Sequence, residues 1–272
     1  TLFHPQIKSA LQGLSLVEKE MGNLEKAVDF LEESLLYRST DTVSRFNLGV
    51  IYEELNEFAK AAREYRNVLE VESDNVNARE RLVLLTIKDG KLGEAWDLLS
   101  EGSKAPGGKT SATLLTLKGY VAHERGDLEK AELAYREAIR MEPEDMTARL
   151  ELSNILVKKE QPALALEVLG SGILEKVRDK TLASKLYNSR GWAQLELGKL
   201  EDAEQSLRTA VALDANNAHA FNNLGVLYQR TKKTTEAQQN FVKAIELKGD
   251  FNEARSNLKT LQRMLDEEHL EK

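Results

Sequence analysis

One alanine recurs along this chain in near-identical settings. It closes GNLEKA at Ala27, FAKA at Ala61, GKLGEA at Ala95, GDLEKA at Ala131, LALA at Ala165, GKLEDA at Ala203 and TTEA at Ala237. The successive intervals are 34, 34, 36, 34, 38 and 34 residues. A period of this length marks stacked supersecondary units, each of which buries its apolar face only against its neighbours. Other positions keep the same register. Twelve residues before the alanine stand Ser15, Gly49, Val83, Gly119, Ser153, Gly191 and Gly225. Four after it come Leu31, Tyr65, Leu99, Tyr135, Leu169, Leu207 and Phe241, and seven after it Ser34, Val68, Gly102, Ala138, Gly172, Ala210 and Ala244.

Small and large apolar residues thus alternate at helical spacing, in two blocks per unit. A small residue in mid-helix lets a second helix approach, and a large one four residues on fills the space beside the contact. Between the blocks, Gly22, Gly90, Gly126 and Gly198 suit the left-handed residue that ends a helix. Asn23 and Asp127 are then placed to cap the next one. Each unit reads as a helix–turn–helix hairpin.

The pattern resembles the tetratricopeptide repeat (TPR) family. Leu48-Gly49, Tyr52, Phe58, Ala61 and Tyr65 follow its signature, as do Leu224-Gly225, Tyr228, Ala237, Phe241 and Ala244. Gly119, Ala131, Tyr135, Ala138 and Pro143 make a third match. The resemblance implies an all-α fold, a right-handed solenoid superhelix of hairpins in one domain over residues 1–272. Its repeats fall at about 8–41, 42–75, 76–111, 112–145, 146–183, 184–217 and 218–251, with a solvating cap helix at 252–270. The third and fifth repeats depart most, Val83 replacing the small residue and Pro162 opening a second helix. Counted back 34 residues, Pro5 falls where Pro143 stands. Thr1 to Pro5 therefore read either as the stub of a preceding repeat or as the start of the first helix.

Composition narrows the function. A net charge of −7, with no long basic run, excludes a general nucleic-acid surface. Lys158-Lys159 and Lys232-Lys233 read as solvated turns. The longest apolar runs, such as Leu82-Val83-Leu84-Leu85, are too short to insert in a bilayer. The absence of cysteine removes disulfides and thiolate metal sites but leaves cytoplasm and periplasm equally open. His4, His123, His219 and His269 are too scattered for metal-ligand spacing. No nucleophile–base set stands out, so neither catalysis nor a cofactor is expected. GSKAPGGKTS, Gly102 to Ser111, imitates a phosphate-binding loop and fails as one: Ser103 occupies the first glycine's place and a helix, not a strand, precedes it. The two extra residues of that interval fall in Ala105-Pro106-Gly107-Gly108, a lengthened turn with Thr110, Ser111 or Thr113 capping the next helix. With the four-residue excess before Ser184, it is expected to divide the array into blocks of three, two and two repeats, deviating or flexing at both turns.

What remains is the surface formed by the first helices, which in the family lines a concave groove where partners bind. The first four repeats present Leu16, Phe46, Val50, Leu84, Ile87, Leu117 and Tyr120 there, and the later ones Asn154, Asn188, Trp192, Asn222, Asn223 and Asn257, with Asn47 earlier. Large aromatics facing a groove often anchor partners, which singles out Phe46 and Tyr120. Asparagine is unfavourable in mid-helix, and its amide donates and accepts at once, as an extended peptide requires. The run resembles the asparagine ladder of the repeats attached to O-linked N-acetylglucosamine transferases. A polar, solvent-facing lining explains it as well. Of the carboxylate clamp that holds chaperone tails, only Asn47 and Arg81 match; Gln12, Leu16 and Asn77 occupy the other places. The expected function is a non-enzymatic, monomeric scaffold that binds a protein or peptide in this groove. A structural subunit of a larger assembly and a regulatory domain of a larger protein are the alternatives.

Overall fold

The computed structural model describes residues 3–102, 110–170 and 172–270. These fold as fifteen α-helices in seven consecutive pairs and a final helix, with one 3-10 turn and no strand among the described residues. The pairs are α1 (Phe3–Glu20) and α2 (Leu24–Tyr37), α3 (Thr42–Glu54) and α4 (Phe58–Val71), α5 (Val76–Lys88) and α6 (Leu92–Gly102), and α7 (Ala112–Glu124) and α8 (Leu128–Met141). They continue as α9 (Met146–Lys158) and α10 (Pro162–Leu169), α11 (Lys180–Glu196) and α12 (Leu200–Leu213), and α13 (Ala218–Arg230) and α14 (Thr234–Leu247), followed by α15 (Asn252–Leu270). The chain divides into two compact units, Thr1–Ala134 and Tyr135–Lys272.

The register read from sequence is the packing code. All seven register alanines are fully buried, and so are the large residues four positions on, apart from a trace of exposure at Leu99. Glycine twelve positions earlier lets the partner helix press against backbone. A β-carbon at Gly225 would lie 2.5 Å from the Phe241 ring, one at Gly49 2.7 Å from Tyr65, and one at Gly191 2.6 Å from Leu207. The side chain four residues after the alanine thus occupies the volume that the glycine leaves empty.

Every hairpin turn has the same shape. Five residues before each register alanine the backbone is left-handed: Gly22, Gly90, Gly126 and Gly198, and also Asn56 (φ 60), Glu160 (φ 59) and Lys232 (φ 58). The turn geometry is set by the hairpin; only four of the seven positions use the residue best suited to it. The caps differ in part from expectation. Asp127 accepts the Lys130 amide (3.1 Å), and Ser111 accepts that of Leu114 (3.0 Å). Asn23 does not cap α2: its amide nitrogen donates to Glu18 (2.7 Å) and it makes no capping bond. The more regular caps open the first helices, where Asp41, Asn75, Asp145 and Asn217 each accept the amide three residues on.

A second recurring device is built on arginine. Arg45, Arg79, Arg149 and Arg255 each donate to a carbonyl six residues back, at Ser39, Ser73, Pro143 and Gly249. Arg79 and Arg149 also reach the carbonyls of Leu98 and Val168 in the second helix of their own hairpin. Each such guanidinium ties the linker before its own helix to that helix, satisfying carbonyls that helix ends leave without partners. Burial lowers the pKa of Arg79 and Arg149, and both stay cationic, since arginine does not lose its proton in proteins.

The fifth repeat is irregular. Pro162 opens α10 as expected, but the helix stops at Leu169, with Gly170 (φ 62) and Gly172 (φ 83) both left-handed. Gly172 is therefore an exposed turn residue, not the small packing residue its register suggested, and Leu174 in the 3-10 turn Leu174–Lys176 takes up the buried position. The four-residue excess before Ser184 is not a loop. Asp179 accepts the amides of Thr181 (2.8 Å) and Leu182 (3.0 Å), so α11 starts at Lys180 and is one turn longer than α9 or α13. The other lengthened turn, Ala105 to Gly108, lies outside the described residues.

Two substitutions test this packing. Gly225→Ala drives a methyl into the Phe241 ring and is expected to destabilise by about 1–3 kcal/mol. Lys232→Gly relieves a left-handed lysine and is expected to stabilise by about 1 kcal/mol, the relief exceeding the added chain entropy. Urea unfolding followed by circular dichroism reads both.

Candidate functional site

Within the unit Thr1–Ala134, the first helices α1, α3, α5 and α7 each present one apolar side chain eleven residues before the register alanine: Leu16, Val50, Leu84 and Tyr120. The neighbouring positions, twelve residues before, face the second helices and are buried. Leu16, Leu84 and Tyr120 instead keep 60%, 45% and 39% of their surface in water. Val50 is half-buried on the core below, as are Ile87 and Leu117 at the margins of the stripe.

Polar contacts fix the residues around it. Phe46 packs obliquely on Tyr65, ring centres 5.5 Å apart. The Tyr65 hydroxyl donates to Glu53 (2.5 Å), and Arg81 stands 3.5 Å from the same carboxylate. Burial and the Glu53 contact push the Tyr65 phenol far above its ordinary pKa, so it remains a donor. Arg81 is thereby steered by α3 although it is carried by α5. Asn47 is exposed and makes no hydrogen bond among the described residues. Gln12 cannot serve a clamp, because its amide donates to Asp41 (2.8 Å) and Ser44 (2.9 Å).

The second unit, Tyr135–Lys272, carries the asparagines, and they bond to one another. Asn223 donates to Asn188 (2.9 Å), Asn257 to Asn222 (3.0 Å) and Ser189 to Asn154 (2.5 Å). Each pair is 35 residues apart and joins adjacent first helices; in the two asparagine–asparagine pairs that is one more than the 34-residue period, so the side chains reach across diagonally. Asn222 is buried and also donates to Glu253 (3.3 Å) and Asn223 (3.4 Å). The mid-helix cost of asparagine is met by hydrogen bonds between helices. Trp192 is half-buried against the core of this unit. The eleven residues singled out in the sequence thus fall in two groups. Phe46, Asn47, Val50, Arg81 and Tyr120 belong to one unit, and Asn154, Asn188, Trp192, Asn222, Asn223 and Asn257 to the other.

Comparison with known proteins fits this architecture. Tetratricopeptide repeat models match residues 116–171, 43–75 and 218–251, and a TPR repeat model matches residues 191–232. The chain belongs to the TPR family. It is 25% identical over 222 residues to the human protein O-mannosyl-transferase TMTC1, covering 82% of this chain and 25% of that protein. It therefore spans about a quarter of that relative's length. A chain in the crystal structure of the APC/C hetero-tetramer Cut9–Hcn1 superposes with a TM-score of 0.68 at 14% identity, over 91% of this TPR chain and 48% of that one. YrrB, described as a TPR protein with an unusual peptide-binding site, gives a TM-score of 0.50 at 18% identity over 84% of this chain and 97% of its own. Among the described residues no group of acidic and histidine side chains is placed to hold a metal, and no helix is long and apolar enough to cross a membrane.

Two tests address the second unit. Asn257→Ala strands the buried carbonyl of Asn222, whereas Asn223→Ala strands the half-buried Asn188 within reach of water. The first is expected to cost about 1–2 kcal/mol and the second less, read as faster amide exchange over α13–α15. His219 packs obliquely on Phe251 (ring centres 4.7 Å apart), and burial, then Lys248 and Lys185, lowers its pKa against the opposing pull of Glu253. The unfolded chain then holds the proton more tightly, so this contribution is full above about pH 6.5 and is lost as pH falls through the lowered folded value. His219→Gln is expected to flatten the loss of stability between pH 7 and pH 5, measured by urea midpoints.

Proposed function

We infer that this TPR chain is a non-enzymatic scaffold that holds a segment of a partner protein across the first helices of the unit Thr1–Ala134. The observation carrying this reading is the stripe Leu16, Val50, Leu84 and Tyr120, one apolar side chain per hairpin, most of it open to water. Adjacent helices pack about 8–10 Å apart, and an extended chain covers that distance in about three residues. A segment in the polyproline II conformation, with three residues per turn and about 3.1 Å of rise each, brings an apolar side chain at every third position onto the stripe. Asn47, exposed and without a partner, supplies an amide that can donate to and accept from the segment's backbone. The peptide-binding site in YrrB's description supports a peptide role for this fold, though not these residues. The asparagines of the second unit serve the fold first, because their amides already pair between helices.

A displayed peptide library selected on the intact chain tests the reading. Enriched peptides with apolar residues three apart are expected, and Leu84→Asp with Tyr120→Ala should weaken them by at least about tenfold, or ~1.4 kcal/mol. Asn223→Ala should leave binding near its original strength. Binding that ignores the Leu84 and Tyr120 changes and vanishes with Asn223→Ala would move the site to the second unit.

A further inference from the structure

Trp96 draws three cations. It follows a register alanine on α6 and is half-buried against Val83, Ala95, Leu99, Leu114 and Val121. Around its ring stand the Lys118 ammonium at 5.8 Å from the centre, the Arg125 guanidinium at 5.2 Å and the Lys130 ammonium at 5.7 Å. All four residues belong to the unit Thr1–Ala134. The other cation–ring contacts among the described residues have one cation each: Lys60 on Tyr52, Lys88 on Phe58, Lys233 on Tyr228 and Lys248 on Phe251. One cation satisfies the attraction of a ring face, and a second and third repel it and each other.

Asp127 answers one of the three charges. It pairs with Lys130 at 2.6 Å, and Arg125 acts on the same carboxylate only through its field. Lys118 and Arg125 form no ion pair among the described residues, so two positive charges stand uncompensated on a chain of net charge −7. Lys118 also departs from its register. Thirteen residues before the register alanine, Leu48, Leu82, Leu152 and Leu224 are buried. Leu48 and Leu82 share a core with Val28 and Ala62, which, like Trp96, follow the register alanine of the preceding hairpin. Packing favours leucine at this place, and the lysine gives up that burial to set a charge beside the indole.

We propose that Lys118, Arg125 and Lys130, gathered on Trp96, form a binding site for a phosphoryl group. A phosphate monoester carries nearly two negative charges at neutral pH and three strong acceptor oxygens, which match the two uncompensated charges and the three cationic donors. A carboxylate brings one charge and leaves the other unanswered. Arg125 supplies a planar fork that bonds two phosphate oxygens at once. The half-buried indole keeps water from one side of the cluster, which strengthens its pull on an anion. The site uses no residue of the stripe Leu16, Val50, Leu84 and Tyr120.

Trp96 reports on its own site. The chain has two tryptophans, so in Trp192→Phe the emission comes from Trp96 alone. Inorganic phosphate, added at fixed low ionic strength, should change that emission saturably, half-way at about 1 mM. A phosphoserine peptide should do the same. Tighter binding of the peptide assigns the group to a partner protein; otherwise the free ion is the ligand. Calorimetric titration of the unaltered chain should return the same constants. Arg125→Gln should weaken phosphate by at least about tenfold. Lys118→Leu should weaken it likewise while raising the urea midpoint, because it restores the residue that packing favours. A role confined to holding Trp96 in place predicts no phosphate response in any of these chains. Absence of a saturable response up to about 50 mM phosphate overturns the proposal, as does a response that both substitutions leave unchanged.

Discussion

The close approach of the two helices in each hairpin is the constraint from which the other features follow. A fully buried alanine, with glycine or serine twelve residues before it in most repeats and a large side chain four residues after it, brings backbone against ring. With the helices that near, the connecting turn has no freedom, and a left-handed residue is required at the same place seven times. Asn56, Glu160 and Lys232 adopt that backbone without the residue type that favours it, which shows that packing outranks local preference here. The same closeness leaves each hairpin too thin to bury its outer faces alone, and its neighbours must do so.

Polar groups hold successive hairpins in register. The arginines at Arg45, Arg79, Arg149 and Arg255 bind the linkers, and caps such as Asp41 and Asn217 fix where each first helix starts. In the second unit, asparagine pairs between adjacent first helices add a further tie. Directional bonds limit sliding between apolar faces that would otherwise tolerate several offsets. The contrast between the units follows. Where amides link the first helices their surface is polar and already bonded, and where they do not, Leu16, Leu84 and Tyr120 are left to water.

The repeat, its hairpins and the positions of its turns were legible in the sequence because packing against identical neighbours imposes one code many times over. Gly172 misled for a local reason: two glycines two residues apart end α10 before the register position is reached. Asn23 misled because its side-chain N–H is held by Glu18, five residues back, while its oxygen makes no capping bond. The arginine ties went unread because the arginine recurs in only three repeats and the final helix, while Leu11, Leu115, Tyr187 and Phe221 hold its place in the other four repeats.

The sequence by itself determined that this is a stack of TPR hairpins, since period, residue size and turn chemistry are properties of the chain read in order. Which of the singled-out first-helix residues already have partners was decided only in three dimensions. Asn188 and Asn223, or Asn222 and Asn257, lie 35 residues apart and become partners only because adjacent first helices pack side by side. Asn47 shares its register with Asn223 and Asn257, yet it stays exposed, because the helix before it offers glycine, serine and glutamine instead of a second asparagine. Hydrogen bonding depends on both ends of a pair, and a periodic sequence displays only one of them at each position.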